Sequence, residues 1–110
     1  MPPGSTLRVP QTYPRPVSEV YVELAEMAGS DALLFKARTF LDQMEPVKTL
    51  HLLEIVLAAE PVKRAALGLR LKTLKMLLNQ ALAGDDNNYE KDYLRRSIAV
   101  TEDALQDLPG

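Results

Sequence analysis

His51 is the one imidazole in the chain, and Glu54 follows it by three residues. On a helix that spacing puts both side chains on one face, where a carboxylate can hold an imidazole for proton transfer. Catalysis of that kind also needs a cleft around the pair, and an ordinary contact on a helix surface is the commoner use of the spacing. The run Asp85-Asp86-Asn87-Asn88 invites a calcium reading. It lacks the sixth-position glycine and the distal bidentate glutamate of a calcium loop, so a turn followed by a helix cap accounts for it better. The five glycines fall at the termini, at two helix ends and at Gly68, which leaves no glycine-rich phosphate loop. Without cysteine, thiol chemistry, disulfides and ordinary zinc sites are excluded for a single chain. These residues predict no enzyme, no cofactor, no metal and no small-molecule substrate.

The chain that would position such groups has 110 residues and a mass of 12.2 kDa, enough for one hydrophobic core and not two. Its net charge of -2 and pI near 5.4 argue against a wholly basic nucleic-acid or membrane binder. The longest unbroken apolar run, Ile55 to Ala59, is far short of a membrane span. The start, Met1-Pro2-Pro3-Gly4-Ser5-Thr6, has no basic stretch followed by an apolar one, so the expected location is cytoplasmic.

Five of the eight prolines stand within residues 1–16, which predicts an extended, non-helical arm, with Leu7, Val9, Tyr13, Arg8 and Arg15 among the prolines. Residues 17–110 then form a single helical domain. Sustained period-two alternation is missing, so the fold class is all-α with about five helices. The first runs from Ser18 to Ala28, with Val20, Leu24, Met27 and Ala28 sharing an inward face with Tyr21. Gly29 closes it and Ser30 caps the second, about 31–44, whose stripe is Leu33, Leu34, Ala37, Phe40, Leu41 and Met44. Phe35 lies off that stripe.

Glu45-Pro46-Val47-Lys48 recurs as Glu60-Pro61-Val62-Lys63. Proline suits the first helical position and disfavours helix in the residue before it, so each copy marks one helix stopping and another starting. The third helix, about 46–59, is apolar almost all round, and the fourth spans about 61–83. The last, about 88–107, opens on a capping box of Asn87 and Glu90 and turns Tyr93, Leu94, Ile98, Val100, Thr101, Ala104 and Leu105 inward.

The fourth helix carries two apolar seams. Leu67, Leu71, Leu74, Leu78 and Ala81 form one; Val62, Ala66, Leu69, Thr73 and Met76 form the other. A helix with two seams must be covered on two sides. Either it is the central helix of its own domain, or a second chain covers one seam. Since the third helix also lacks a broad polar face, the competition for one small core favours association, and a homodimer is expected. Residues 61–82 hold five cations and no acid, between acidic segments on either side. That pattern suits a charge-balanced fold or a helix presented to nucleic acid; the corner before it is not a helix-turn-helix turn, which makes nucleic acid the lesser reading. Arg70, beside a seam in mid-helix, needs a carboxylate, carbonyls or an interface.

The resulting expectation is a non-catalytic protein-binding protein, with Phe35, Leu67, Arg70, Leu71, Leu74 and Leu78 as the partner interface. In scale and helical make-up the chain resembles the small helical anti-activators that sequester LuxR-type quorum-sensing regulators. That resemblance implies a transcription regulator as partner, with its dimerisation surface covered. The rival readings are a nucleic-acid-binding domain using residues 61–82, and a structural subunit such as a secretion chaperone or assembly factor.

Overall fold

A computed structural model describes residues 17–84 and 89–109. It contains α1 (Val17–Ala28), α2 (Ser30–Asp42), α3 (Pro46–Ala59), α4 (Arg64–Leu82) and α5 (Lys91–Gln106). No strand occurs among the described residues, and the all-α class holds. The arm over 1–16, and Asn87 with its acidic run, lie outside the described residues.

The corners explain the helix limits. Gly29 sits at φ 88°, a left-handed conformation that glycine adopts without steric penalty. Its N–H donates to the Ala25 carbonyl at 2.8 Å and its own carbonyl accepts from the Leu33 N–H at 3.1 Å. One residue therefore ends α1 and opens α2. Ser30, expected as the cap, becomes the first residue of α2 because Gly29 takes the capping position. At the other end α2 stops at Asp42, two residues early. Met44 takes φ 62°, its N–H donates to the Leu41 carbonyl at 3.0 Å, and the Glu45 N–H donates to the Phe40 carbonyl at 2.9 Å. That pair of bonds is a Schellman ending with methionine where glycine is usual. Met44 consequently leaves the α2 stripe and is 65% exposed.

The two proline corners differ. Pro46 is the first residue of α3, as expected. Pro61 is not in a helix: Glu60 to Lys63 close a turn through a 3.1 Å bond from the Lys63 N–H to the Glu60 carbonyl, and α4 begins at Arg64. The Lys63 ammonium is tied to Asp31 at 3.1 Å and to Glu60 at 3.6 Å, which pins this turn to the start of α2. α5 also begins later than expected, at Lys91, with Glu90 in the capping position, so Glu90 is not the third helical residue that a capping box needs.

Packing joins two clusters through α3 and α4. Leu34 and Ala37 of α2, Leu53 and Val56 of α3, and Ala66 of α4 form the first. Leu50 of α3, Leu74 and Leu77 of α4, and Leu94 of α5 form the second. α4 is the two-faced helix expected, with α3 on one flank and α5 on the other; α3 in turn carries α1, α2 and α4, which is why it is apolar all round. The buried hydroxyls of Thr73 and Thr101 donate to the carbonyls four residues back, each at 2.7 Å, and so enter the core without an unmet hydrogen bond.

α1 is turned away from its expected orientation. Ala25 is its buried residue, at 2% exposure, with Tyr21 and Val22 half-buried, whereas Val20, Leu24, Met27 and Ala28 face outward. The small Ala25 side chain lets α1 lie close on α3, and Tyr21 adds an edge-to-face contact with His51 at 5.8 Å. Tyr93 and Val100 of α5 are likewise exposed rather than inward, because α5 packs on α4 alone.

Candidate functional site

α3 and α5 both pack on α4 and do not pack on each other. Between them, over the N-terminal half of α4, a cleft of about 440 Å³ remains open. Leu57, Ala58 and Pro61 form the α3 wall, Val100, Thr101 and Ala104 the α5 wall, and Leu67 and Arg70 lie along α4 between them. The local reasons are plain. Ala58 and Ala104 are short, so the facing walls never meet, and the Glu60–Lys63 turn carries Pro61 across one end. Glu54 also lines the cleft, across from Arg70.

A phenol joins these two charges. Tyr89 precedes α5, stacks on Tyr93 with ring centroids 5.9 Å apart, and packs beside the Leu50, Leu74, Leu77 and Leu94 cluster. Burial is the main cause that pushes its hydroxyl above the usual phenol range; the Glu54 carboxylate and Tyr93 push the same way, and Arg70 pulls against them. The trough is thus apolar, with a carboxylate, a guanidinium and a phenol within electrostatic reach of one another. Such a set can orient a bound surface by charge and hydrogen bonding. His51 is turned to Tyr21 on the α1 side, whereas Glu54 lines the cleft, so the two groups serve different neighbours.

The six residues expected at an interface do not stand together. Leu74 is core, at 0% exposure, and the expectation that it faces a second chain is corrected; Leu67, 6% exposed, lines the cleft beside Arg70. The physical reason is α5, which lays Leu94 and Ile98 against this flank of α4. Leu71 and Leu78 are half-buried beside them, and Leu77, which belonged to neither seam, is fully buried. The seams are the two edges of one covered arc. Arg70 does lie at an open surface, half-buried and lining the cleft. Phe35 is 69% exposed but stands on α2, away from the cleft-lining residues.

Reading the sequence alone missed Glu54, Leu57, Ala58, Val100 and Ala104 as neighbours of Arg70. Only the thin polar side of the third helix around Glu54 gave any signal. A second concavity, about 470 Å³, lies on the other side of α4 between Met44 and Met76, with Lys72 and Lys75 at its edge.

The basic stretch is dispersed. Lys63 pairs with Asp31, Arg64 donates to the Pro109 carbonyl at 3.0 Å, and Lys75 reaches Glu102 of α5 at 3.7 Å. Those contacts fit the charge-balanced reading of residues 61–82. Among the described residues no three metal-ligating side chains come together, and no helix is long and apolar enough to cross a membrane. Comparison with known proteins finds no matching family model, no matching curated protein and no matching solved structure.

Proposed function

We propose that this is a non-catalytic protein-binding regulator whose cleft between α3 and α5 receives an apolar helix of another protein. The observation that carries the reading is the separation of α3 from α5, which leaves an apolar trough with Glu54 and Arg70 beside it. An amphipathic helix docks by setting two or three side chains of one face into such a groove. A small apolar volume anchors them, and the two charges select the neighbouring residues of the incoming helix. If the incoming helix belongs to a regulator's dimerisation surface, occupation of the cleft holds that regulator out of its own dimer. This is the anti-activator mode implied by the resemblance drawn from scale and helical make-up.

The argument for a homodimer changes with the fold. It rested on an uncovered seam, and α5 now covers much of it, so the partner proposed is a different protein and the free chain a monomer.

A photo-reactive residue at Val100, 68% exposed on the cleft rim, tests the proposal against the same residue at Phe35, 69% exposed elsewhere. In cells expressing either variant, the partner should be cross-linked from position 100 and not from 35. Capture should persist as salt rises, whereas phosphate binding would weaken steeply. Cross-linking from 35 alone, a product between two copies of the chain, or a nucleic-acid product would each overturn it.

A further inference from the structure

Lys72, Lys75, Met76, Asn79, Gln80 and Ala83 line the concavity on the other side of α4. They fall at i, i+3, i+4, i+7, i+8 and i+11, one helical face roughly 16 Å long at about 1.5 Å per residue. Met44, in the corner between α2 and α3, is the one lining residue that stands apart from this stretch, and it supplies the opposite wall. The result is a trough with a direction. Both lysines lie at one end, and Met76, Met44 and Ala83 give it apolar surface further along.

Its charge is one-sided, since no acid lines it. Lys75 is drawn towards Glu102 of α5 at 3.7 Å. Lys72 is exposed and makes no ion pair among the described residues. Met44 gives a second, independent signal. It holds a left-handed φ of 62°, which disfavours a side chain, yet that side chain is 65% exposed and adds nothing to the core. Strain kept at an exposed residue is the pattern of a side chain retained for contact rather than for folding.

We propose that this trough binds a single-chain anionic amphiphile, an aliphatic carboxylate. Its head group meets Lys72 and Lys75, and its chain lies along Met76 towards Met44 and Ala83. The volume of about 470 Å³ falls within the roughly 300–1,000 Å³ of small-molecule sites. A docking helix, about 10–12 Å across, needs a wall on each side, and here one wall is a single methionine. A polymethylene chain needs only one helix face and that thioether against it. Methionine is unbranched and adapts to an irregular apolar chain, and the lysine stems extend the apolar surface while their ammonium groups stay in water. The trough is separate from the α3–α5 cleft, so this inference stands without the functional reading above.

The chain has four methionines, which makes a site-resolved test available by nuclear magnetic resonance of methyl-labelled methionine. Decanoate, added below its micelle concentration, should shift the Met44 and Met76 methyl resonances saturably. Met27, 84% exposed on α1, should stay unmoved and serves as the control for indiscriminate apolar contact. Decyltrimethylammonium at the same concentration should shift neither Met44 nor Met76. Lys72→Gln with Lys75→Gln should weaken decanoate binding about five-fold, the scale of one or two exposed ion pairs. Met44→Gly relieves backbone strain and so keeps the fold, yet it should weaken binding as read at Met76. Absence of any shift, a Met27 shift in step with the other two, equal binding of the cationic amphiphile, or undiminished binding by either variant would overturn the proposal.

Discussion

Leu74→Ala separates an internal helix from one kept open for a second chain. Leu74 is 0% exposed and meets Leu50 of α3, Leu77 of its own helix and Leu94 of α5. Truncation removes three carbon groups at about 0.8 kcal/mol each, roughly 2.4 kcal/mol of transfer energy. A residual cavity adds to this, and buried Leu→Ala changes fall at about 2–5 kcal/mol in total. Because Leu74 is clamped between helices on both sides, little collapse can fill the space, and the upper half of that range, about 3–5 kcal/mol, is expected. A domain of this size has about 5–15 kcal/mol in hand, so the variant folds but is badly weakened. Urea unfolding followed by far-ultraviolet circular dichroism should show a lowered midpoint with an unchanged slope. A thermal midpoint lower by at least about 12 °C is expected in parallel. A loss below about 1 kcal/mol would refute the packing, and would return Leu74 to the surface that the seam pattern alone assigned to it.

Ala104→Leu should fill part of the cleft: the free protein gains about 0.5–2 kcal/mol in urea unfolding while partner capture at Val100 is lost, and retained capture would speak against the groove. Met44→Gly should stabilise the chain by about 0.5–1 kcal/mol, since the left-handed penalty of about 1–2 kcal/mol at φ 62° exceeds the extra chain entropy of glycine; a lower urea midpoint would refute that. Lys63 and Tyr89 both have folded-state proton affinities above their ordinary values of 10.5 and 10.0, Lys63 mainly through its hydrogen bond to Asp31 and Tyr89 mainly through burial. With each folded pKa raised, the unfolded chain loses its proton first. Their stabilisation is therefore intact below about pH 10 and falls as pH rises through the folded values, so Asp31→Asn and Tyr89→Phe should each flatten the alkaline loss of thermal midpoint.

Helix number and the α3 limits were legible because apolar periodicity and proline placement act locally. The orientation of α1 was not, since its pattern shows an apolar stripe but not which side docks. Ala25 settled it, and alanine contributes little to a hydrophobic pattern while allowing the closest helix approach. Ala37 and Ala66, both 0% exposed, make the same point for α2 and α4. The second proline corner misled for a different reason. Its four residues match the first, but Lys63 finds Asp31 across the fold and holds a turn where the first copy starts a helix. The cleft lay further from view, because it exists only where two helices that share α4 diverge.

That divergence follows from how α4 distributes its neighbours. Its covered arc runs from Thr73 and Ala66 through Leu77 to Leu74 and Leu67, too wide for one helix to bury. Two helices are needed, and two helices set on opposite edges of one arc stand apart over its middle. Towards the C-terminal half of α4 the gap is closed by large side chains, Leu50 and Leu94 meeting through Leu74 and Leu77. Towards the N-terminal half the facing residues are Ala58, Thr101 and Ala104, and nothing fills the space. Arg70 lies on this open stretch, where a guanidinium can keep solvent contact while its stem lies against apolar neighbours. A longer side chain at Ala58 or Ala104 would have completed the core at little cost. The cleft is therefore where the fold leaves its own packing unfinished, and under the proposed function the docking helix brings the apolar volume that these alanines withhold.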